Sequence, residues 1–334
     1  MDIARKLHLS DNQFGFFCGC CAAFIYGFTA VISKIGYSIG LNSYSLCFGR
    51  YFWGFFLYGI VIIVTHGSFR VNLKEFLYIM LVGLTGVGTV LTAYVGYNYL
   101  PAGISTLLGM SQTIFILLIE IILGLEKSRM YKWGVMIMAF CGVFIIVYSP
   151  DGMSGISLTG VAIALTAAFI GAVQTLVFNG KAIRHLTVST IYFYEVLFPI
   201  FTVPFFAKFV MHQNPFPATI GQFAFCGVFS FLNFILGLLL FSWAIRLIGP
   251  GNASLITLTE PLISCIGGAL IFHEKITGKI VVGGIILIAS VLVKRIFENK
   301  EQMKKIQEKL DAEIHEEIEE ELEEAFSTLP ESDE

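Results

Sequence analysis

Charged side chains are scarce in this sequence, since Asp, Glu, Lys and Arg make up only 13% of its 334 residues. Hydrophobic residues make up 56%, and the mean hydropathy is +0.79. A single soluble core of this length cannot bury that much apolar side chain, so the composition excludes an ordinary water-soluble domain. It indicates an all-α, polytopic membrane protein whose main partner is the lipid bilayer.

Spaced cysteine and histidine ligands are also missing. All 7 cysteines lie in apolar runs, without the Cys/His pairs of a zinc site or the framework of a secreted disulfide-rich protein, so we interpret them as packing residues. The sequence has no GxSxG, HExxH or phosphate-binding glycine loop. We therefore expect no metal, no cofactor, no nucleic-acid partner and no enzymatic activity.

The few charges that exist are distributed unevenly. The part before Glu298 has 17 basic and 9 acidic residues, whereas the tail from Glu298 onward has 4 basic and 15 acidic ones, a net charge of −11. Apolar residues recur every three or four positions in this tail, from Met303 to Phe326, which predicts a helix with one apolar face. That face is typical of a helix that self-associates or docks on a partner, or of a solvated helix.

Ten apolar segments approach the length that crosses a bilayer as a helix, which is about 20 residues. Two pairs of segments are separated only by "YLPAG" and "LIGPGN", where Pro and Gly favour a break over one long helix. The predicted spans are 14–33, 44–65, 76–98, 102–124, 131–149, 156–178, 189–211, 220–245, 251–272 and 279–297.

The distribution of Lys and Arg predicts the orientation of these spans. With a cytoplasmic N-terminus, the inside segments carry 12 basic residues and the outside segments carry 4. This bias has the direction that the positive-inside rule requires, so we place both termini in the cytoplasm and the protein in the plasma membrane. The basic segment "HEKITGK" fits this arrangement least well, because it follows the ninth span and is external.

Two parts of the sequence repeat each other. Residues 160–172 have the same Gly and Ala-Ala-Phe-Ile as residues 15–27 at an offset of 145, and Glu274-Lys275 follows Glu126-Lys127 at an offset of 148. Each half has five predicted spans, and an odd number makes the second half enter the membrane from the opposite side, as in inverted-repeat transporters. The predicted domains are two inverted five-helix repeats, residues 14–149 and 156–297, and an acidic cytoplasmic helical tail, residues 298–334.

Several motifs occur in a recognisable order. Lys34 follows the first span, Arg50 lies in "LCFGRYFWG", Glu260-Pro261 lies in the ninth span, and an "EK" pair follows the last-but-one span of each half. With the two five-span halves, these motifs resemble the EamA-type branch of the drug/metabolite transporter superfamily over about residues 14–297.

The sequence departs from that family pattern at two places. Tyr26-Gly27 stands where the family often has Trp-Gly, and Gln112-Thr113 lies opposite Glu260-Pro261. The resemblance implies transport of small metabolites by alternating access around a midplane cavity, often export of amino acids or related compounds. The alternatives are a nucleotide-sugar or phosphate-ester antiporter, which needs a more basic cavity, and a receptor or scaffold that does not transport.

Polar side chains inside apolar spans are the candidate substrate-binding residues, because a charge at membrane depth is costly unless it pairs or lines a cavity. Glu260 lies about ten residues into its span and Gln112 is its repeat equivalent, so both are predicted near the midplane. Arg50 can receive a substrate carboxylate, or it can pair with Glu260 or Glu195. Glu195, in "STIYFYEVLFPIF", is itself a candidate for lining the cavity. Each of these residues can alternatively have only a structural role. Further candidates carry a hydrogen-bonding group in or beside a span: Tyr26, Tyr94, Tyr97, Asn98, Gln174, Asn233 and Trp243.

Overall fold

A computed structural model of the chain describes residues 11–124, 130–147 and 157–297, together with residues 300, 303 and 307. The Glu126-Lys127 pair and most of the predicted tail lie outside these residues, so docking through the tail stays a prediction. Residues up to Val291 form one compact unit and those from Leu292 a second. The described residues are almost entirely helical and contain no β-strand, which confirms the all-α fold class.

The helices are numbered α1 to α14 in chain order. A π-helical turn, Phe231–Gly237, joins α11 to α12, and a short 3₁₀ turn, Thr257–Thr259, precedes α13. The helices are α1 (Asp11–Gly27), α2 (Thr29–Ser38), α3 (Ser43–Val64), α4 (Leu73–Gly96), α5 (Ala102–Gly109), α6 (Ser111–Ile122), α7 (Met130–Val147), α8 (Leu158–Phe178), α9 (Val188–Glu195), α10 (Leu197–Phe209), α11 (Ile220–Ser230), α12 (Leu238–Ile256), α13 (Glu260–Phe272) and α14 (Gly278–Phe297).

Eight of the described helical segments are long and apolar enough to cross a membrane. They are formed by α1 with α2, by α3, by α4, by α5 with α6, by α8, by α9 with α10, by α11 with part of α12, and by α14. Two shorter apolar helices, Met130–Ile146 and Thr257–Phe272, correspond to the predicted fifth and ninth spans. The multi-pass class is confirmed, while the count of ten spans and the inverted orientation stay predictions.

Both breaks predicted at Pro and Gly are present. Pro101 is the N-cap of α5, with an extended ψ of 145° that separates this helix from α4. Gly249 has φ 82° and ψ 158°, a backbone conformation that L side chains rarely adopt, and it bends the chain inside α12. The short linkers therefore contain real turns, as their composition indicates.

The major helix contacts join the first predicted half of the chain to the second. Helix α1 packs against α12, α4 and α6 pack against α8, and α5 packs against α13, while α3 contacts α9, α10 and α11. The apolar faces of each half are thus buried mainly against the other half. Any space left between the halves is consequently lined by both.

An ion pair links the halves at one end of the bundle. Lys34 Nζ, on α2, lies 2.5 Å from Glu274 Oε1, in the linker after α13, and the two side chains are 18% and 12% exposed. The backbone N–H of Ala102, the first residue of α5, donates to both oxygens of Glu274 at 3.0 and 2.9 Å. Glu274 therefore neutralises Lys34 and also caps the N-terminus of α5.

We predict that Glu274→Gln lowers the free energy of unfolding of the purified protein by about 2 kcal/mol, because it leaves a mostly buried Lys34 without its counter-charge. The measurement is thermal unfolding in detergent. The double variant Lys34→Met, Glu274→Gln should recover part of the loss. The matched control is Lys275→Met, because Lys275 follows Glu274 in the chain and is exposed. This substitution should change the stability little. Equal melting temperatures for Glu274→Gln and wild type would contradict a stabilising ion pair.

Candidate functional site

A cavity of about 550 Å³ lies between helices of both predicted halves. Its wall is formed by the α1–α2 junction, α3, α4, α5, α6, α8, the π-helical turn and the start of α13. Most of the wall is made of small and hydroxyl-bearing residues. We call this space the main cavity. The predicted site residues that line it are Tyr26, Arg50, Tyr97, Gln112, Asn233 and Glu260.

A second space of about 200 Å³ adjoins the main cavity, and we call it the side chamber. The two spaces share Tyr26, Arg50 and Asn233 in their walls. The side chamber adds two more predicted site residues, Gln174 of α8 and Glu195 of α9. Helix packing therefore brings eight of the predicted residues into the walls of two adjoining spaces, although they are dispersed from position 26 to position 260.

Arg50 projects from α3 between the two spaces and is held by aromatic side chains. Its Nη1 donates to the hydroxyl of Tyr94 at 2.7 Å. Its guanidinium carbon lies 4.6 Å from the ring centre of Phe234 and 5.5 Å from that of Phe229. Nε is buried and has no hydrogen-bond partner. Among the described contacts, Arg50 forms no salt bridge with Glu195 or Glu260, so neither predicted ion pair is present in this conformation.

Glu195 is only 4% exposed, which is unusual for a carboxylate. Its Oε1 accepts a hydrogen bond from Gln174 Nε2 at 3.1 Å, and its Oε2 is buried without a partner. Helix α4 makes room for this pair with Gly86, where a Cβ would lie 2.5 Å from Glu195 Oε1 and 2.8 Å from Gln174 Nε2. The absence of a side chain at Gly86 is therefore a condition for the Glu195–Gln174 contact.

Gln112 has a structural contact in addition to its place in the cavity wall. Its Nε2 donates to the carbonyl of Gly171 at 3.2 Å and to Thr175 Oγ1 at 3.0 Å, which ties α6 to α8. Glu260, its counterpart in the second half, lies half-buried in the same wall at the first position of α13. The predicted placement of both residues at one cavity is in accord with the structure, and substrate binding by either stays a prediction.

Asn233 lies in the π-helical turn rather than in a regular helix. Its Nδ2 donates to the carbonyl of Phe229 at 3.2 Å, and its Oδ1 accepts from Thr29 Oγ1 at 2.8 Å. π-Helical turns are rare in proteins, and those that do occur are often found at functional sites. The turn thus links Asn233 to the α1–α2 junction at the shared wall of the two spaces.

Three predicted residues lie outside the linings of the two spaces. Tyr94 is buried, and its hydroxyl accepts the hydrogen bond from Arg50 Nη1. Asn98 donates to Ser43 Oγ at 2.8 Å near the end of α4. Trp243 packs in the apolar contact between α1 and α12, with its ring centre 6.0 Å from that of Phe14. It lines neither of the two spaces, and a role of Trp243 in substrate binding stays a prediction.

Sequence reasoning missed several hydroxyl side chains of the main cavity, among them Thr29, Ser105 and Thr106. Thr106 Oγ1 donates to Ser264 Oγ at 2.9 Å, whereas Ser105 Oγ is buried without a partner. Serine and threonine are common in membrane helices, where they usually bond to the preceding turn. Their type and spacing therefore gave no signal that these ones face a cavity.

Fold and site together define a multi-pass membrane protein with a polar cavity between two interlocking halves. A family model described as the EamA-like transporter family matches residues 13–148 and 158–294. These two matches cover more than half of the chain, so the protein belongs to the EamA-like transporter family. The resemblance noted in the sequence is thereby confirmed.

Two individual proteins are also similar. A curated relative named "Uncharacterized transporter YvbV", from Bacillus subtilis (strain 168), is 28% identical over 210 residues, which are 59% of this chain and 64% of that protein. The matched part of the chain thus spans less than two thirds of the relative's length. A protein of known crystal structure superposes with a TM-score of 0.58 at 12% identity, over 86% of this chain and 98% of the other. The second similarity supports the fold alone.

We predict that Gly86→Ala destabilises the protein by about 1–3 kcal/mol, because the added methyl group must displace the Glu195–Gln174 pair in a packed interior. Thermal unfolding in detergent measures the effect. Gly134→Ala on α7 is the control, since a Cβ there meets no atom within 4 Å. Equal stability of the two variants would show that Gly86 does not confine this pair.

Proposed function

We propose that the protein is a secondary transporter that moves a small polar metabolite across the plasma membrane, by alternating access around the main cavity. The observation that carries the proposal is a polar cavity lined by both halves of a bundle of apolar helices. Its volume of about 550 Å³ is in the usual range for small-molecule sites, about 300–1,000 Å³. Family membership supports the same function.

The way in which the halves contact each other supports alternating access. The Lys34–Glu274 ion pair links the halves at one end of the bundle. A second link is the hydrogen bond that Tyr194 Oη, on α9, donates to the carbonyl of Phe69, between α3 and α4, at 2.6 Å. Rocking of one half against the other requires exchange of such contacts, and it changes the cavity because both halves line it. In the proposed topology the Lys34–Glu274 pair lies at the external end.

The charge of the two spaces favours neutral, zwitterionic or cationic metabolites over phosphate esters. Among the described residues that line them, Arg50 is the only cation, and Glu195 and Glu260 are both acidic. A phosphate ester or nucleotide sugar carries negative charge that one arginine beside two carboxyl groups offsets poorly. We therefore propose amino acids and related compounds as the substrate class, ahead of the antiporter alternative.

The test of transport is flux in proteoliposomes that contain the purified full-length protein. We expect at least one small metabolite of an amino-acid panel to be moved, and Glu260→Gln to reduce its flux at least tenfold, because the substitution removes a charge from the cavity wall. Trp243→Phe should leave the flux unchanged, since Trp243 lies in the α1–α12 contact. Absence of flux over a broad panel would revive the receptor or scaffold alternative.

The proposed inverted topology has its own test. A reporter inserted in the linker between α7 and α8 should read external, and a reporter fused after α14 should read cytoplasmic. The reason is that an odd number of spans in the first half places the start of the second half on the opposite side of the membrane. A cytoplasmic reading between α7 and α8 would overturn the inverted-repeat proposal, while leaving the cavity as it is.

A further inference from the structure

Four exposed basic side chains lie together at the end of the bundle opposite the ion pair between α2 and the linker after α13. They are Arg70, in the linker between α3 and α4, Lys74, in the first turn of α4, and Lys181 and Arg184, in the linker between α8 and α9. We call these four residues the basic surface. None of them forms a salt bridge with another residue in the part of the chain that the structure describes. Such a concentration of one charge attracts an anionic partner.

The two linkers that carry these cations lie against each other. Thr190 Oγ1, on α9, donates to the carbonyl of Ser68, in the linker between α3 and α4, at 2.9 Å. Ile183 is fully buried in an apolar cluster with Ile79 of α4 and Ile191 of α9. This buried side chain holds the second linker in place, so the basic residues on either side of it are presented to the exterior at defined positions.

One acidic residue, Glu75, occurs in the two linkers and the first turn of α4, and it is engaged elsewhere. Its side chain is 13% exposed. Oε2 accepts from the backbone N–H of Asn72 at 2.8 Å, as the partner in the capping box of α4, and Oε1 lies 3.1 Å from His185 Nε2. Four cations against this carboxylate leave a net charge of +3 with the histidines neutral.

Exposed apolar side chains beside the cations indicate which anionic partner fits. Leu73 and Leu77, on α4, are 73% and 59% exposed and flank Lys74, and Val188, at the start of α9, is 48% exposed. On helices of membrane-spanning length such residues face lipid, so the neighbouring cations lie at the level of the lipid head groups. A soluble acidic segment would match the charge but would not need these apolar neighbours, whereas a phospholipid matches both.

We propose that the basic surface binds the head groups of anionic phospholipids such as phosphatidylglycerol, whose acyl chains contact Leu73 and Leu77. The phosphate oxygens accept charge-assisted hydrogen bonds from the guanidinium and ammonium groups. Phosphatidylcholine has the same phosphate but adds a quaternary ammonium group, which the basic surface repels. In the proposed topology this end of the bundle is cytoplasmic, where the membrane surface is negatively charged. The inference does not depend on the proposed transport function.

The experiment measures thermal unfolding of the full-length protein in mixed micelles of detergent and phospholipid. We expect phosphatidylglycerol to raise the melting temperature by about 3 °C relative to phosphatidylcholine, because a ligand that binds the folded state stabilises it. The difference should disappear at about 1 M salt, where the Debye length is about 3 Å. Equal melting temperatures in the two lipids at low salt would overturn the proposal.

A matched pair of double variants assigns the lipid preference to the basic surface. Lys74→Gln with Arg184→Gln removes two of the four cations and should reduce the difference in melting temperature by about half or more. Lys208→Gln with Lys275→Gln removes two exposed cations from the opposite end of the bundle and should leave the difference unchanged. All four side chains are exposed, so the variants keep the packed interior. An equal reduction in both double variants would mean a general effect of net charge and would overturn the assignment.

Two further measurements distinguish the lipid from other anionic occupants. Glycerol 1-phosphate carries a phosphate group without acyl chains, so at the concentration of the lipid it should leave the melting temperature unchanged. An effect equal to that of phosphatidylglycerol would indicate a site for free anions and would overturn lipid docking. A lipid preference that appears only after removal of residues 303–334 would assign the basic surface to the acidic tail, and it would overturn the proposal as well.

Discussion

A polar side chain inside a bundle of membrane-spanning helices has no bulk water to satisfy it, and this constraint governs how the helices of this protein meet. Several buried polar groups have found a partner on another helix or lie on a cavity wall. Gln112 donates a hydrogen bond to α8, Glu195 accepts one from Gln174, and Arg50 donates one to Tyr94. The polar residues that are far apart in the chain therefore collect where the two halves face each other.

Because the two halves pack against each other, these polar residues line a shared cavity. Since α1 packs on α12, α4 on α8 and α5 on α13, neither half buries its apolar faces alone. The remaining gap is lined from both sides, and it holds Arg50 and Glu195 in orientations that leave one atom of each unsatisfied. The same contacts that make the bundle compact thus place polar side chains of both halves around the main cavity.

Much of the fold was predictable because lipid restricts the choices. Long apolar runs must be helical in a bilayer, and the breaks at Pro101 and Gly249 follow from residues that cannot continue a regular helix. Polarity inside a span likewise identified Arg50, Gln112 and Glu260 as residues of one cavity wall. Polarity did not place Trp243, which packs in the apolar contact between α1 and α12, because an indole in an apolar helix packs against a neighbouring helix as readily as it faces a cavity.

The sequence by itself determined the helical class, the positions of the turns and the set of polar residues that need partners, since these depend on composition and local spacing. Only the tertiary structure decided which polar groups pair and which stay unsatisfied. The π-helical turn that places Asn233, the space at Gly86 beside Glu195 and the role of Glu274 as both counter-ion and helix cap are examples. Each arises from the approach of helices that are distant in the chain, and no local pattern records the angle or rotation at which such helices meet.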